Sequence, residues 1–264
     1  MKLVLNDSDK LDKFVFLFKC LKNISVDMNI YVSIDGMFIQ TMDSTHTLLG
    51  NLKISKEWFD TFEIADDAKH VLGINVKMLC SILACAISKG SMEMEYNAEN
   101  DADTLSITFA TSDSSAIIDQ KYFKLPLMDL DQDVMEIPDS EYEADISLKS
   151  TMLHELTNEI ANFSSDIVLF ANEEKVELKT GKSADSSECK YAINIDIEKL
   201  EEFSIDEDCN IDMAYNAKFI NMLSSFYKLS DDVLLNISSQ LPLCFVYNLG
   251  DESELKLYIA PKVD

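Results

Sequence analysis

Carboxylates are the chemically capable side chains present in quantity: 48 Asp and Glu stand against 22 Lys and Arg, a formal charge of −26. Clustered carboxylates can hold a divalent cation for hydrolysis. Asp129, Asp131 and Asp133 alternate along the chain, but their segment lacks the glycine and closing glutamate of a calcium loop. Asp101 and Asp103 fall at a hairpin tip. No nucleophile is set beside a base, and with six glycines there is no phosphate-cradling loop. The cysteines at 20, 80, 85, 189, 209 and 244 follow neither zinc nor disulfide spacing and read as reduced, small hydrophobes. His46, His70 and His154 are too scattered for a metal cluster. An acidic metal-dependent hydrolase is what the charge invites and the spacing refuses.

Every basic residue is a lysine. So acidic a surface repels DNA phosphate at long range and, taken alone, argues against nucleic-acid binding. At roughly 100–200 residues per domain, 264 residues predict two domains. An apolar content of 47% supports a substantial core. The apolar stretch KLDKFVFLFKCL is too short and too charged to span a bilayer, and no small-residue cleavage site follows it. The chain reads as intracellular.

Short strands and four amphipathic helices must position whatever the chain uses. Residues 29–42 read as strand, Asp-Gly turn, strand, and residues 166–180 repeat that plan. LSITFA (105–110) and LCFVYNL (243–249) are further strands. Helical periodicity predicts helices over 9–22, 75–87, 150–162 and 216–226. In the first, Leu11, Phe14, Val15, Phe18 and Leu21 form the apolar stripe, with Asp9, Lys13 and Cys20 opposite. INVKMLCSIL (74–83) and YNAKFINMLS (215–224) share an Asn, a Lys two residues on, and an apolar residue after it. Two copies of one α+β unit explain this. The acidic segment LPLMDLDQDVMEIPDSEY (125–142), with its two prolines, predicts an exposed connector. The expected organisation is a first domain over 1–125, a connecting loop over 126–142 and a second domain over 143–264.

Two motifs carry a family resemblance. Gln40–Leu49 reads QTMDSTHTLL and the chain ends LKLYIAPKVD. Both resemble proliferating cell nuclear antigen, the eukaryotic and viral sliding clamp. GINVKMLCSILACA (73–86), NDADTLSITF (100–109), LMDLD (127–131) with IPDSEY (137–142), and QLPLCFVY (240–247) resemble further family segments, in the family's order. The resemblance implies an α+β fold with two similar clamp domains per chain, inner helices backed by outer antiparallel sheets. It implies a homotrimeric ring around duplex DNA that catalyses nothing and needs no cofactor. The ring would be a processivity factor for a replicative polymerase. Implied partners are its own copies, double-stranded DNA, DNA polymerase, clamp loader, and flap endonuclease and DNA ligase type proteins bearing a short peptide. The implied location is the nucleus, or a host nucleus or viral replication site.

The resemblance also implies sites. Lys10, Lys13, Lys19, Lys22, Lys77, Lys149 and Lys218 would meet phosphate and no base, as sliding requires. Ser81, Ala84, Glu155, Asn158, Asn162 and Ser225 stand where the family is commonly basic, so the bore should be less positive than usual. The partner peptide would dock on Met42, His46, Leu49, Met135, Ile137, Pro138, Pro242, Tyr258, Ile259, Ala260 and Pro261. Residues 115–125 of one copy would pair with a strand within 186–195 of the next, anchored by Ile117, Phe123 and Tyr191. Glu174 takes the place of the family's modified lysine, with Lys175 beside it. The alternative within the same fold is one subunit of a heterotrimeric, checkpoint-type clamp.

Overall fold

The computed structural model describes residues 1–65, 68–111, 113, 117–138, 140–181 and 190–262. Asp139, Cys189, Asp264, and parts of the two expected edge segments (115–116 and 186–189) lie outside the described residues. The chain divides into two compact units: residues 1–42, 51–135 and 249–254 in the first, and 43–50, 136–248 and 255–264 in the second.

One plan runs twice. Its first copy is β1 (Lys2–Leu5), α1 (Ser8–Leu21), β2 (Asp27–Ser33), β3 (Gly36–Met42), β4 (Leu48–Ser55), β5 (Thr61–Glu63), β6 (His70–Asn75), α2 (Val76–Leu83), β7 (Ser91–Asn97), β8 (Asp101–Ala110) and β9 (Gln120–Pro126). The second is β10 (Ala144–Lys149), α3 (Ser150–Ala161), β11 (Asp166–Asn172), β12 (Lys175–Thr180), β13 (Ala192–Ile195), β14 (Glu202–Ile205), β15 (Ile211–Asn216), α4 (Ala217–Ser224), β16 (Asp232–Ile237), β17 (Leu243–Gly250) and β18 (Ser253–Ile259). A single 3₁₀ turn separates β4 from β5 and β13 from β14. Strand orders repeat too: β5-β1-β7-β8-β9 matches β14-β10-β16-β17-β18, and β4-β3-β2-β6 matches β13-β12-β11-β15. Pairing is antiparallel in each. The fold is therefore α+β with two like domains per chain.

The repeated asparagines explain where the short helices begin. Asn75 and Asn216 are their N-caps, accepting from the Met78 and Lys218 amides at 3.0 Å each. Both sit at the same ladder position, opposite Asp27 and Asp166. Asp7 caps α1 likewise, accepting from Asp9 at 2.8 Å. α2 is shorter than the expected 75–87. Its last turn tightens to i→i+3 bonds, Cys85 to Ile82 and Ala86 to Leu83, and the helix stops. α4 also stops early, at Ser224.

α1 corrects its predicted stripe. Leu17 and Cys20 are buried with Leu11, Phe14, Phe18 and Leu21, while Val15 is only half-buried. Cys20 thus lies inward, not on the polar face. The wide buried arc follows from Trp58, wholly buried and 6.3 Å from Phe14 between ring centroids. The Trp58 indole N–H donates to the Leu249 carbonyl at 3.2 Å. Emptying such a site costs about 3–5 kcal/mol. In the second unit Tyr215, Phe226 and Tyr247 fill the core, and the Tyr247 hydroxyl donates to the Leu223 carbonyl at 2.9 Å.

The copies differ in finish. In the first, Leu48, Leu52, Ile54, Trp58 and Phe59 are all buried. Along β13, the turn and β14, Ile193, Ile195, Ile197, Leu200, Phe203 and Ile205 all remain partly exposed.

The turn between β17 and β18 places Asp251 and Glu252 at φ 49° and 57°. Successive left-handed residues suit a tight hairpin, but neither is the glycine or asparagine that takes this conformation cheaply. The Lys10 ammonium pairs with Asp251 at 2.7 Å, whereas Glu252 has no ion pair among the described residues. Replacing Glu252 by Gly should raise unfolding stability by about 0.5–1 kcal/mol, read as a shift in denaturant midpoint at unchanged slope.

Candidate functional site

The QTMDSTHTLL motif is built around one carboxylate. In the second unit the buried Asp43 accepts from the amides of Leu48 at 2.6 Å and Thr47 at 2.7 Å through Oδ1. Its Oδ2 takes the Thr45 amide at 3.0 Å and the Thr45 hydroxyl. Burial would push this carboxyl up, but the bonds from the Thr45 hydroxyl and the Leu48, Thr45 and Thr47 amides outweigh it and hold the pKa below its usual value. The wrapped loop lifts His46 to an exposed position at φ 57°, its amide donating to the Asp43 carbonyl at 3.1 Å. Asp43 was not singled out from sequence, although Asp followed by Ser and Thr is the composition of a side-chain-capped turn.

The residues expected to dock a partner peptide are assigned to both units. His46, Leu49, Ile137, Pro138, Pro242, Tyr258, Ile259, Ala260 and Pro261 belong to the second, Met42 and Met135 to the first. Within the second, the Ala260 amide donates to the Thr47 carbonyl at 3.1 Å, which joins the His46 loop to the chain just past β18. Strand alternation sends Tyr258 and Ile259 to opposite faces. Ile259 is fully buried, so only its backbone is available to a ligand, while Tyr258 is half-buried. Leu49 and Ile137 are half-buried and Pro138, Pro242 and Ala260 exposed.

Connector residues 127–135 are strapped to the first unit. Met128 bridges to Gly73, donating its amide at 2.8 Å. A Cβ on Gly73 would stand 2.2 Å from the Met128 carbonyl oxygen, so only glycine lets the strap approach. Asn29 Nδ2 donates to the Leu130 carbonyl at 3.1 Å, and the Tyr31 hydroxyl to that of Gln132 at 3.1 Å. Gln40 holds Met135 at both backbone groups. The second unit has a counterpart: Lys262 donates its amide to the Ala214 carbonyl at 2.8 Å and its ammonium to Asp166 at 2.7 Å. Gly73 and Ala214 stand at matching places on the edge strands β6 and β15, two residues before the capping asparagines.

The candidate phosphate-contacting lysines are not alike. Lys10 is spent internally, on the Trp58 carbonyl at 3.0 Å, the Trp58 ring and Asp251. Lys149 is held by Asp232 at 2.8 Å and Glu201 at 3.0 Å, which together raise its pKa well above the usual value. Lys13, Lys19, Lys22, Lys77 and Lys218 have no ion pair among the described residues, and all but the half-buried Lys13 are exposed. α1 with its cap carries most of them, while Glu155 and Glu159 lie exposed on α3. His154 stacks on Tyr227 at 4.5 Å, and burial pushes its imidazole pKa down, so it adds no charge near neutrality. Ser81, Ala84, Asn158 and Asn162 are exposed and uncharged. Lys175, beside the exposed Glu174, pairs with Glu177 at 3.0 Å.

Of the three expected edge residues, Phe123 lies within β9 and the other two precede their strands. Ile117, fully exposed, precedes β9, and Tyr191 precedes β13. Phe123 is half-buried against Phe109 at 6.0 Å, leaving Tyr122 as the outward aromatic of β9. Tyr191 donates to Glu159 at 2.8 Å and packs on Phe163. Both β9 and β13 end their strand orders. No helix among the described residues is long and apolar enough to cross a membrane.

Residues 5–134 match the family model described as proliferating cell nuclear antigen, N-terminal domain. Residues 136–262 match the one described as proliferating cell nuclear antigen, C-terminal domain.

The Asp43 loop has a pH signature. A carboxyl with a lowered folded-state pKa contributes stability that is fully present above its unfolded value of 3.8 and is lost as pH falls through the folded value. Asp43→Ala should cost about 1–3 kcal/mol at neutral pH. Denaturant titrations should show that deficit shrinking once the pH falls below about 4.

Proposed function

This chain belongs to the proliferating cell nuclear antigen family and is a DNA sliding clamp; from that premise we propose that three copies close head to tail into a ring that encircles duplex DNA and keeps a replicative polymerase on its template. Residues 1–125 and 143–264 would be its two clamp domains and 126–142 its connecting loop. The clamps of this family are non-enzymatic scaffolds. The action is mechanical. A clamp loader opens one interface, the ring closes, and a tethered polymerase rebinds before it diffuses away, because tethering raises its effective concentration. The site of action would be the nucleus or a viral replication site.

One observation carries the ring: along β13 and the turn after it, Ile193, Ile195 and Leu200 are partly exposed where the first copy of the plan buries Leu52, Ile54 and Phe59. Apolar surface of that kind marks an interface. The edges of β9 and β13, unpaired among the described residues, would supply complementary backbone. The repeat makes them counterparts of β18 and β4, whose flanks are already joined by Ala260 and Thr47. Light scattering on the eluting protein should give three times the 29.8 kDa chain mass. A lone monomer at micromolar concentration would instead favour a heterotrimeric, checkpoint-type clamp.

Partner peptides, carried by polymerase, flap endonuclease and ligase type proteins, would dock where Met42, His46, Leu49, Met135, Ile137, Pro138, Pro242, Tyr258, Ala260 and Pro261 supply an adaptable apolar surface, with Ile259 contributing backbone alone. Buried aromatic anchors of the peptide would supply most of the energy. Ile137→Ala with Tyr258→Ala should abolish binding of a consensus peptide and leave the trimer intact. DNA contact would fall to Lys13, Lys19, Lys22, Lys77 and Lys218, with Lys10 and Lys149 withdrawn by their ion pairs. So few phosphate contacts should make binding of the unloaded protein weak and strongly salt-dependent; tight, salt-insensitive binding of linear duplex would refute this.

A further inference from the structure

The connector's last residue on the first unit is held by a single side chain. Gln40 lies on β3, 9% exposed. Its Oε1 accepts from the Met135 amide at 2.7 Å and its Nε2 donates to the Met135 carbonyl at 3.0 Å. A primary amide presents donor and acceptor side by side, so it pairs with one residue's backbone as a neighbouring strand would. Asn51, itself buried, sets the orientation by accepting from the same Nε2 at 3.4 Å. Upstream, Asn29 and Tyr31 hold single carbonyls. Among the described connector residues, Met135 alone has both backbone groups taken by one side chain. Yet the side chains of Val134 and Met135 stay 44% and 43% exposed.

We infer that Gln40 is the positioning residue of the connector: its amide latches the Met135 backbone and so presents the Met135 side chain outward. No other natural side chain of that length does both jobs. Glu can accept but not donate when ionised, Leu can do neither, and Asn is one methylene too short. The consequence for partner binding rests on the docking role proposed for the connector; the latch does not.

The test is amide hydrogen exchange on the full chain with no peptide present. Gln40→Leu should expose the Met135 amide to exchange at least about tenfold faster, while amides of β3 and β4 keep their protection. Gln40→Glu, which keeps the acceptor, should fall between. Unchanged Met135 protection in Gln40→Leu overturns the latch; should that variant not fold, Gln40→Glu decides on the same amide. A second arm measures affinity for a synthetic peptide with a glutamine, an aliphatic residue and two aromatics. Gln40→Leu should weaken it about tenfold. Unchanged affinity, where Ile137→Ala with Tyr258→Ala abolishes binding, overturns the link to docking. A peptide that does not bind the parent protein refutes the docking reading, and the exchange result then judges the latch by itself.

Discussion

Backbone N–H and C=O groups that leave water must find partners, and that requirement governs how this chain runs once its strands end. After β9 the chain has no strand to join, yet it lies against the first unit and spends its polar groups there on Gly73, Asn29, Tyr31 and Gln40. After β18 the same thing happens on a smaller scale, with Ala214 receiving the Lys262 amide. Each strap covers part of an edge strand that would otherwise offer its bonding groups to other chains. A segment fixed through its backbone keeps its side chains free for other contacts, as the docking role proposed for the connector would require.

The two copies of the plan are alike in topology and unequal in chemistry. The first closes its hydrophobic face around Trp58; the second leaves the matching face partly uncovered along β13 and the turn that follows it. Positive charge is unequal as well, gathered on α1 and its cap, with carboxylates on α3. The proposed ring, held on DNA by closure rather than affinity, would tolerate both an acidic exterior and a thin supply of cations, because sliding needs only weak, base-blind attraction. Lys10 shows how the supply is thinned further: its ammonium serves the Trp58 carbonyl and a strained hairpin turn.

By itself the sequence determined the two-fold plan, the places of the four helices and the family, because these rest on local patterns. Asn75 and Asn216 read as repeated signals and are repeated caps. Alternation in β18 already separated Tyr258 from Ile259, though the motif grouped them. What only the tertiary structure decided are the pairings between residues far apart in the chain: Lys10 with Asp251, Lys149 with Asp232, Gln40 with Met135. The inward turn of Cys20 and Leu17 belongs here too, since the breadth of a buried face depends on what packs against it. Periodicity reports which side of an element is apolar. It carries no record of which distant group will satisfy a charge or a buried amide, because that partner is chosen by proximity after folding.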